Sequence, residues 1–363
     1  MATLFGKTLK KEEILSYLAN PQQIAGARPS VLTDGKAEGV KAISVRSGGG
    51  LDLTVLPGRA MDIAEAFFRG RALHFFSNTG IVSPAYYDEP DLSWLRNFFA
   101  GLLTTCGISY SGAPNVDQGQ PLGLHGRIAN AAAEDICIDQ HWQDDEYLIT
   151  VKGTTYEASA MGETLALTRT ISTKLGAQSF RIQDVVENRG FDPQPLMMLY
   201  HFNFGFPLLS PSAQVVGPIA KSEARNETAR ADRGLEECLQ FSSPQRGYEE
   251  KVFFHTMAAG ADGRTFIALL NRDVGDGTPL GIVIRFSRKE LPALTEWKMI
   301  RSGFYVVGLE PGTTTPDGRA ALRERGELPF IEGQQEYPIT IDVEVVDNVA
   351  QMEALEKEGA SLT

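Results

Sequence analysis

From about Val40 to Asp347 the sequence is a succession of short runs rich in Val, Ile, Leu, Phe and Thr, each closed by Gly, Asp, Asn or Pro. ISVRSGGGLDLTVLPGRAMDI, TLALTRTISTKL, SFRIQDVVENRG, RTFIALLNRD, LGIVIRFSR and YPITIDVEVVD are the clearest of them. Side chains of a strand alternate between two faces, so apolar residues at every second position mark half-buried strands, and the Gly and Pro clusters mark the turns between them. Strands this dense, with few helices between them, predict antiparallel sheets and an all-β fold. Two stretches depart from the pattern: SWLRNFFAGLLTT, where Trp94, Leu95, Phe98, Phe99 and Leu102 recur at helical spacing, and the C-terminal VAQMEALEKEGA. The start of the chain, MATLFGKTLKKEEILSYLANP, reads as a helical extension over residues 1–22, ending before Pro21. The polar, irregular stretch 208–248 is expected to be a surface excursion. No repeat or linker divides the chain, and residues 1–363 are read as one large domain.

Charge and cysteine usage narrow the function classes. The 363 residues carry a net charge of −12 with no Lys/Arg run, which argues against nucleic acid and anionic membranes as partners. The N-terminus lacks the apolar core of a signal peptide, and no run is long enough to cross a bilayer. Cys106, Cys137 and Cys238 are odd in number and widely spaced, so neither a disulfide framework nor a cysteine zinc site is expected. The expected compartment is the cytoplasm, and a homodimer is left open.

Few residues can carry chemistry. His74, His141 and His255 each sit beside aromatic or apolar neighbours and read as strand or edge histidines. His201 and Asn203 differ: they form a polar pair set into LMMLYHFNFGFPLL, and polar groups in so apolar a strand need partners once buried. The structural alternative for His201 is a core histidine bonded to a backbone carbonyl. Glu310 ends the apolar run of FYVVGLEPGTTTPDGRAAL, where Pro311 and Gly312 force a turn and bring the carboxylate to the rim of a sheet. Its alternative is a solvated loop residue. His125 lies in PLGLHGRIAN, and its surroundings in sequence match no catalytic pattern by themselves. Two imidazoles and one carboxylate, each at the end or edge of an apolar run, form a candidate acid/base set.

GLHGR, LYHFNFG and GLEPGTTTPDG, in that order, resemble the motifs of the aldose 1-epimerase, or galactose mutarotase-like, superfamily, and most closely a divergent bacterial branch of it. The resemblance implies a large antiparallel β-supersandwich with a few short helices. It also implies an isomerase of carbohydrate metabolism that interconverts sugar anomers without cofactor or metal. Carried over by position, His125 binds the sugar, His201 is the general acid and Glu310 the base, with Pro316 and Asp317 completing the last motif. Two departures stand out. Leu122-Gly123-Leu124 replace an Asn-rich segment before the first histidine, and Gly312 stands where the family has a glutamine.

Further sugar contacts are expected from arginines, whose fixed donors suit hydroxyl oxygens. Arg127 follows His125 by two positions and shares its face if the segment is extended. Arg59, in LPGRAMDI, resembles an arginine that family members aim at the sugar, and Asp62 reads as its partner. Asn203, Trp297 and Lys298 complete the set, Trp297 as an apolar platform. Two other classes stay open: a metal-dependent enzyme using two histidines and a carboxylate, and a noncatalytic carbohydrate-binding or sugar-sensing protein on the same fold.

Overall fold

The computed structural model describes residues 1–4 and 6–363. Two large antiparallel sheets form the body of the fold. The first runs, edge to edge, through Glu134–Gln143, Glu146–Ala158, Thr164–Lys174, Ser179–Asn188, Glu336–Val346, Leu280–Ser287, Arg264–Asn271 and Ala213–Val216. The second runs through Ile219–Ala224, Lys251–Met257, Ala293–Arg301, Phe304–Gly312, Leu199–Phe204, Leu103–Cys106, Asp62–Phe68, Leu51–Leu56, Lys41–Arg46 and Gly26–Val31, with the short strand Arg71–Ala72 added on Asp62–Phe68. The fold is the all-β antiparallel sandwich that the alternation predicts.

The alternation also sets which faces meet. Along Ser179–Asn188 the residues Phe180, Ile182 and Val186 point inward while Ser179, Arg181 and Gln183 point out. Ile182, Ile284 and Ile341 of one sheet join Phe202, Phe204, Val307 and Leu309 of the other in a single apolar cluster. Each such side chain contributes about 2 kcal/mol by leaving water. Within that core Arg169 is wholly enclosed, its Nη2 2.7 Å from Asp184 and its Nη1 2.8 Å from Thr105 and 3.3 Å from Asp62. Asp62 is therefore the partner of Arg169, and Arg59 is bonded elsewhere. Removing one member of so buried a set would cost about 3–5 kcal/mol, because the remaining charge would lack compensation.

Three sequence expectations come out differently. SWLRNFFAGLLTT makes only a short 3₁₀ turn, Ser93–Arg96, and then strand segments at Ala100–Gly101 and Leu103–Cys106. A helix there would need the carbonyls of Asn97 and Phe98, but Arg59 binds the first and the hydroxyls of Ser77 and Thr79 bind the second. Ala100 and Gly101 then adopt positive φ, 67° and 68°, which ends any helical path. The stretch 208–248 is only partly an excursion, since Ala213–Val216 and Ile219–Ala224 are edge strands of the two sheets. Its polar composition is that of strands with one face in water. The N-terminal segment pairs Ala2–Leu4 with Lys7–Leu9 before a helix of residues Lys11–Tyr17. The C-terminal helix, Val349–Leu362, is capped by Asn348 and packs Met352 and Leu355 on Phe266 and Val283, the outer face of the first sheet. Among the described residues, no helix is long and apolar enough to cross a membrane.

Candidate active site

The strand Leu199–Phe204 sends Tyr200, Phe202 and Phe204 into the core, so His201 and Asn203 must face the other side of the second sheet. Its pairing with Phe304–Gly312 matches Leu199 with Gly312 and Phe202 with Leu309, a register that sets His201 beside Glu310. Nε2 of His201 lies 3.2 Å from Oε1 of Glu310, and both side chains are almost fully buried. Thr295 is the register partner of Glu310 on the following ladder. Gly308 stands two residues before Glu310 on the same face. A Cβ there would strike the Glu310 carboxylate and come within 3.2 Å of His201 Cε1, so the glycine of GLEPG is the space the carboxylate occupies.

His125 reaches the same place from a loop. It adopts positive φ, 58°, followed by Gly126 at 74°, while its amide donates to Gly112 O at 2.9 Å and its carbonyl accepts from Gly107 at 3.2 Å. A Cβ on Gly126 would collide with the carbonyls of Tyr110 and Gly107, and one on Gly123 with that of Glu89, so GLHGR is glycine-rich because the backbones are packed together there. Gly112 in turn bridges to Asp317, which ties the first motif to the TTTPDG segment. The rings of His125 and His201 end 5.8 Å apart.

Around these groups lies a cleft of about 300 Å³. Its walls are apolar and aromatic: Trp94, Phe98, Leu124, Val252 and Trp297, with Leu92 and Leu95 at the rim. Trp94 stacks on Phe98 at 4.6 Å, and Trp297 meets His201 edge-on at 5.4 Å. Within this lining, Trp94 Nε1, His125 Nδ1, His201 Nδ1, Thr295 Oγ1 and Glu310 Oε1 are buried without a hydrogen-bond partner. Buried polar groups are normally paired, so such a concentration marks a surface built to receive a hydrogen-bonding molecule. Arg225 and Glu250 complete the lining as an opposed charge pair, 3.5 Å apart.

Burial dominates the electrostatics. Desolvation lowers the pKa of His201 to about 3, assisted by His125, while Asn203 acts weakly the other way. It lowers His125 to about 4, with a further contribution from the Arg225 charge. Glu310 is pushed well above the usual carboxyl range by desolvation and by Glu250, against the pull of Arg225. Burial thus favours the neutral form of both members of the pair.

Of the residues singled out from sequence, His125, His201, Glu310 and Trp297 come together, and four do not. Arg127 lines a separate hollow and pairs with Glu89 at 2.6 Å and Glu163 at 2.5 Å, because the loop turns at His125 and Gly126 and the two-residue alternation of a strand does not apply. Arg59 is fully buried and donates to the carbonyls of Val82 at 2.6 Å, Asn97 at 3.1 Å and Ala129, over the ring of Phe99. It holds the loop that carries Trp94 and Phe98 and has no access to the cleft. Asn203 lies behind His201, bonding the carbonyls of His201 at 2.8 Å and Ala100 at 3.2 Å. Lys298 follows Trp297 on the opposite face of its strand and binds the carbonyls of Glu237 at 2.8 Å and Gln240 beneath the excursion. Thr295, Arg225 and Glu250 were not foreseen. Alternation from Trp297 could have indicated Thr295, whereas no local signal separates Arg225 and Glu250 from their polar surroundings. Among the described residues no group of three or more His, Cys, Asp or Glu side chains could hold a metal ion.

No protein of curated function matches the chain in sequence. Solved structures do. A candidate aldose 1-epimerase from Klebsiella pneumoniae superposes with a TM-score of 0.87 at 27% identity, over 93% of this chain and 87% of that one. A galactose mutarotase-like protein from Clostridium acetobutylicum aligns over 90% of this chain and 100% of its own, at 14% identity and a TM-score of 0.56. The galactose 1-epimerase from Lactobacillus acidophilus aligns over 89% and 99%, at 11% identity and a TM-score of 0.56. The fold is thus galactose mutarotase-like, and the chain, matched over residues 37–345 by the family model, belongs to the DUF4432 family, a domain of unknown function.

Proposed function

We propose that this protein interconverts the α and β anomers of an aldose, with His201 and Glu310 moving the protons and His125 holding the sugar. The observation that carries this reading is the 3.2 Å His201–Glu310 contact within a cleft whose unpartnered donors and acceptors suit sugar hydroxyls. The aromatic walls suit the C–H faces of a pyranose ring. The likeness to the Klebsiella pneumoniae candidate aldose 1-epimerase supports the same reaction class.

Ring opening requires a proton to leave the C1 hydroxyl while another reaches the ring oxygen, as the bond between C1 and that oxygen breaks. Glu310 as carboxylate takes the first and His201 as imidazolium supplies the second. The aldehyde then rotates about C1–C2, and the reverse transfers close the other anomer. The working form carries one proton on the pair, held by His201 beside a Glu310 carboxylate 3.2 Å away. Because the two groups are coupled, the rate should follow the proton count of the pair, falling in acid as a second proton is added and in alkali as the only one is lost.

Exchange between anomeric NMR signals of aldoses, measured above the spontaneous rate, tests the proposal. Wild-type protein should accelerate exchange for at least one aldose, and His201→Asn should lower turnover by about 10²–10⁴-fold. His125→Ala should raise KM at least as much as it lowers kcat. A sugar that binds yet exchanges no faster than in buffer would leave a carbohydrate-binding protein instead.

A further inference from the structure

Arg225 and Glu250 stand together at the end of the edge hairpin that borders the cleft. Arg225 follows the strand Ile219–Ala224, its amide bonded to Val252 O at 3.0 Å, and Glu250 immediately precedes Lys251–Met257. Nη2 of Arg225 is 3.5 Å from Oε1 of Glu250, beyond the range of about 2.7–2.9 Å for a charge-assisted hydrogen bond. Among the described residues the guanidinium makes no other ion pair and no side-chain hydrogen bond, unlike Arg59 and Arg169, whose nitrogens are all engaged. Glu250 is aimed by its other oxygen, which accepts from Trp297 Nε1 at 3.0 Å.

A rigid fork of free donors beside a carboxylate oxygen is a complement for two adjacent hydroxyls. One hydroxyl donates to Glu250, and both oxygens accept from Arg225. The charge count decides the rest. Arg225 is the one arginine or lysine of the lining and stands beside Glu250, so the cleft has no surplus cation to balance an anion. The chain around it carries −12. A phosphate or carboxylate on the sugar would bring a second negative charge beside Glu250, with Arg225 already shared, and like charges repel.

We propose that Arg225 and Glu250 are specificity-determining residues that read a vicinal diol of a neutral aldose and exclude sugar phosphates and uronates. The proposal rests on the sugar reading of the cleft but not on its catalytic part. Its test is binding followed by tryptophan fluorescence, which Trp94 and Trp297 in the cleft wall should report, using glucose, galactose, their 6-phosphates and their uronates. Neutral sugars should bind about tenfold or more tighter than the charged forms, the scale of a lost charged hydrogen bond. Arg225→Met should weaken binding of the neutral sugar by about tenfold. Glu250→Gln should free the Arg225 charge from its carboxylate neighbour and shift preference towards the charged sugars. Equal or tighter binding of a phosphate or uronate by the wild type, or an unchanged preference in Glu250→Gln, overturns the proposal. Neutral-sugar binding without anomer exchange would uphold it while refuting the epimerase. Exchange confined to charged sugars would do the reverse, and failure to bind any of the six sugars would overturn both.

Discussion

Two histidine–glutamate pairs lie in the second sheet on neighbouring strands, and they differ in what surrounds them. His255 Nε2 is 2.8 Å from Glu296 Oε2, and its Nδ1 is 2.8 Å from the Ser222 hydroxyl. Both ring nitrogens have partners and both side chains are fully buried, although Glu296 Oε1 has no partner of its own. His201 Nε2 and Glu310 Oε1 are 3.2 Å apart but not aligned as a hydrogen bond, His201 Nδ1 has no partner either, and both residues line a cleft. Thr295 and Trp297 face that cleft, while Glu296 and Lys298, one residue on, face the opposite side of the sheet. The same residue types thus make a structural brace on one face and, in the proposed function, a reactive pair on the other. What separates them is the histidine's second nitrogen and access to a cleft: Ser222 satisfies His255 Nδ1 in the core, whereas His201 Nδ1 is left for a molecule in the cleft to meet.

The largest effect that would break this comparison is on rate. Glu310→Gln should slow anomer exchange by about 10²–10⁴-fold, whereas Glu296→Gln should leave it within a few-fold. Comparable losses in both would mean that the inner pair also serves the reaction. Stability should sort the pairs the other way. Removing the His255 ring with His255→Ala leaves Glu296 buried without its partner and should cost about 3 kcal/mol in urea unfolding. His201→Asn, at a cleft already holding unpartnered groups, should cost much less. A smaller change sharpens the role of space: Gly308→Ala should lower turnover by about tenfold, as the carboxylate is pushed off its position by a fraction of an ångström, with little loss of fold.

The smallest expected effect is on the pH dependence of stability. His125 and His201 have folded-state pKa values lowered to about 4 and about 3 from 6.5. Below pH 6.5 the unfolded chain takes up protons that the folded chain does not, so stability falls as pH drops towards 4. His125→Gln should flatten that fall by on the order of 1 kcal/mol between pH 6.5 and 4. Thermal unfolding at the two pH values reads it directly, and an unchanged slope would mean that the imidazole is not held neutral by the cleft.

Much of this was legible before any coordinates. Strand alternation marked the two sheets, and the three motifs marked His125, His201 and Glu310, because a polar residue in an apolar run and a carboxylate before a Pro-Gly turn are local signals. The errors share one cause. Arg59 and Arg127 were judged by what an arginine can do for a sugar, yet their nitrogens are engaged by Asn97 and Val82 in one case and by Glu89 and Glu163 in the other. Those partners are distant in sequence. The helical spacing of Trp94 and Phe98 was genuine and does put both rings on one side, but as a stacked wall of the cleft on a turn whose carbonyls are taken from outside.

By itself, then, the sequence determined the periodicity of the backbone and singled out His125, His201 and Glu310, since both depend on neighbours a few residues away. Which polar groups were left without partners was decided only by the tertiary structure. That outcome depends on strand register and on loop segments meeting across the sheet, and it brought Arg225, Glu250 and Thr295 to the cleft while burying Arg59 and Lys298 behind it.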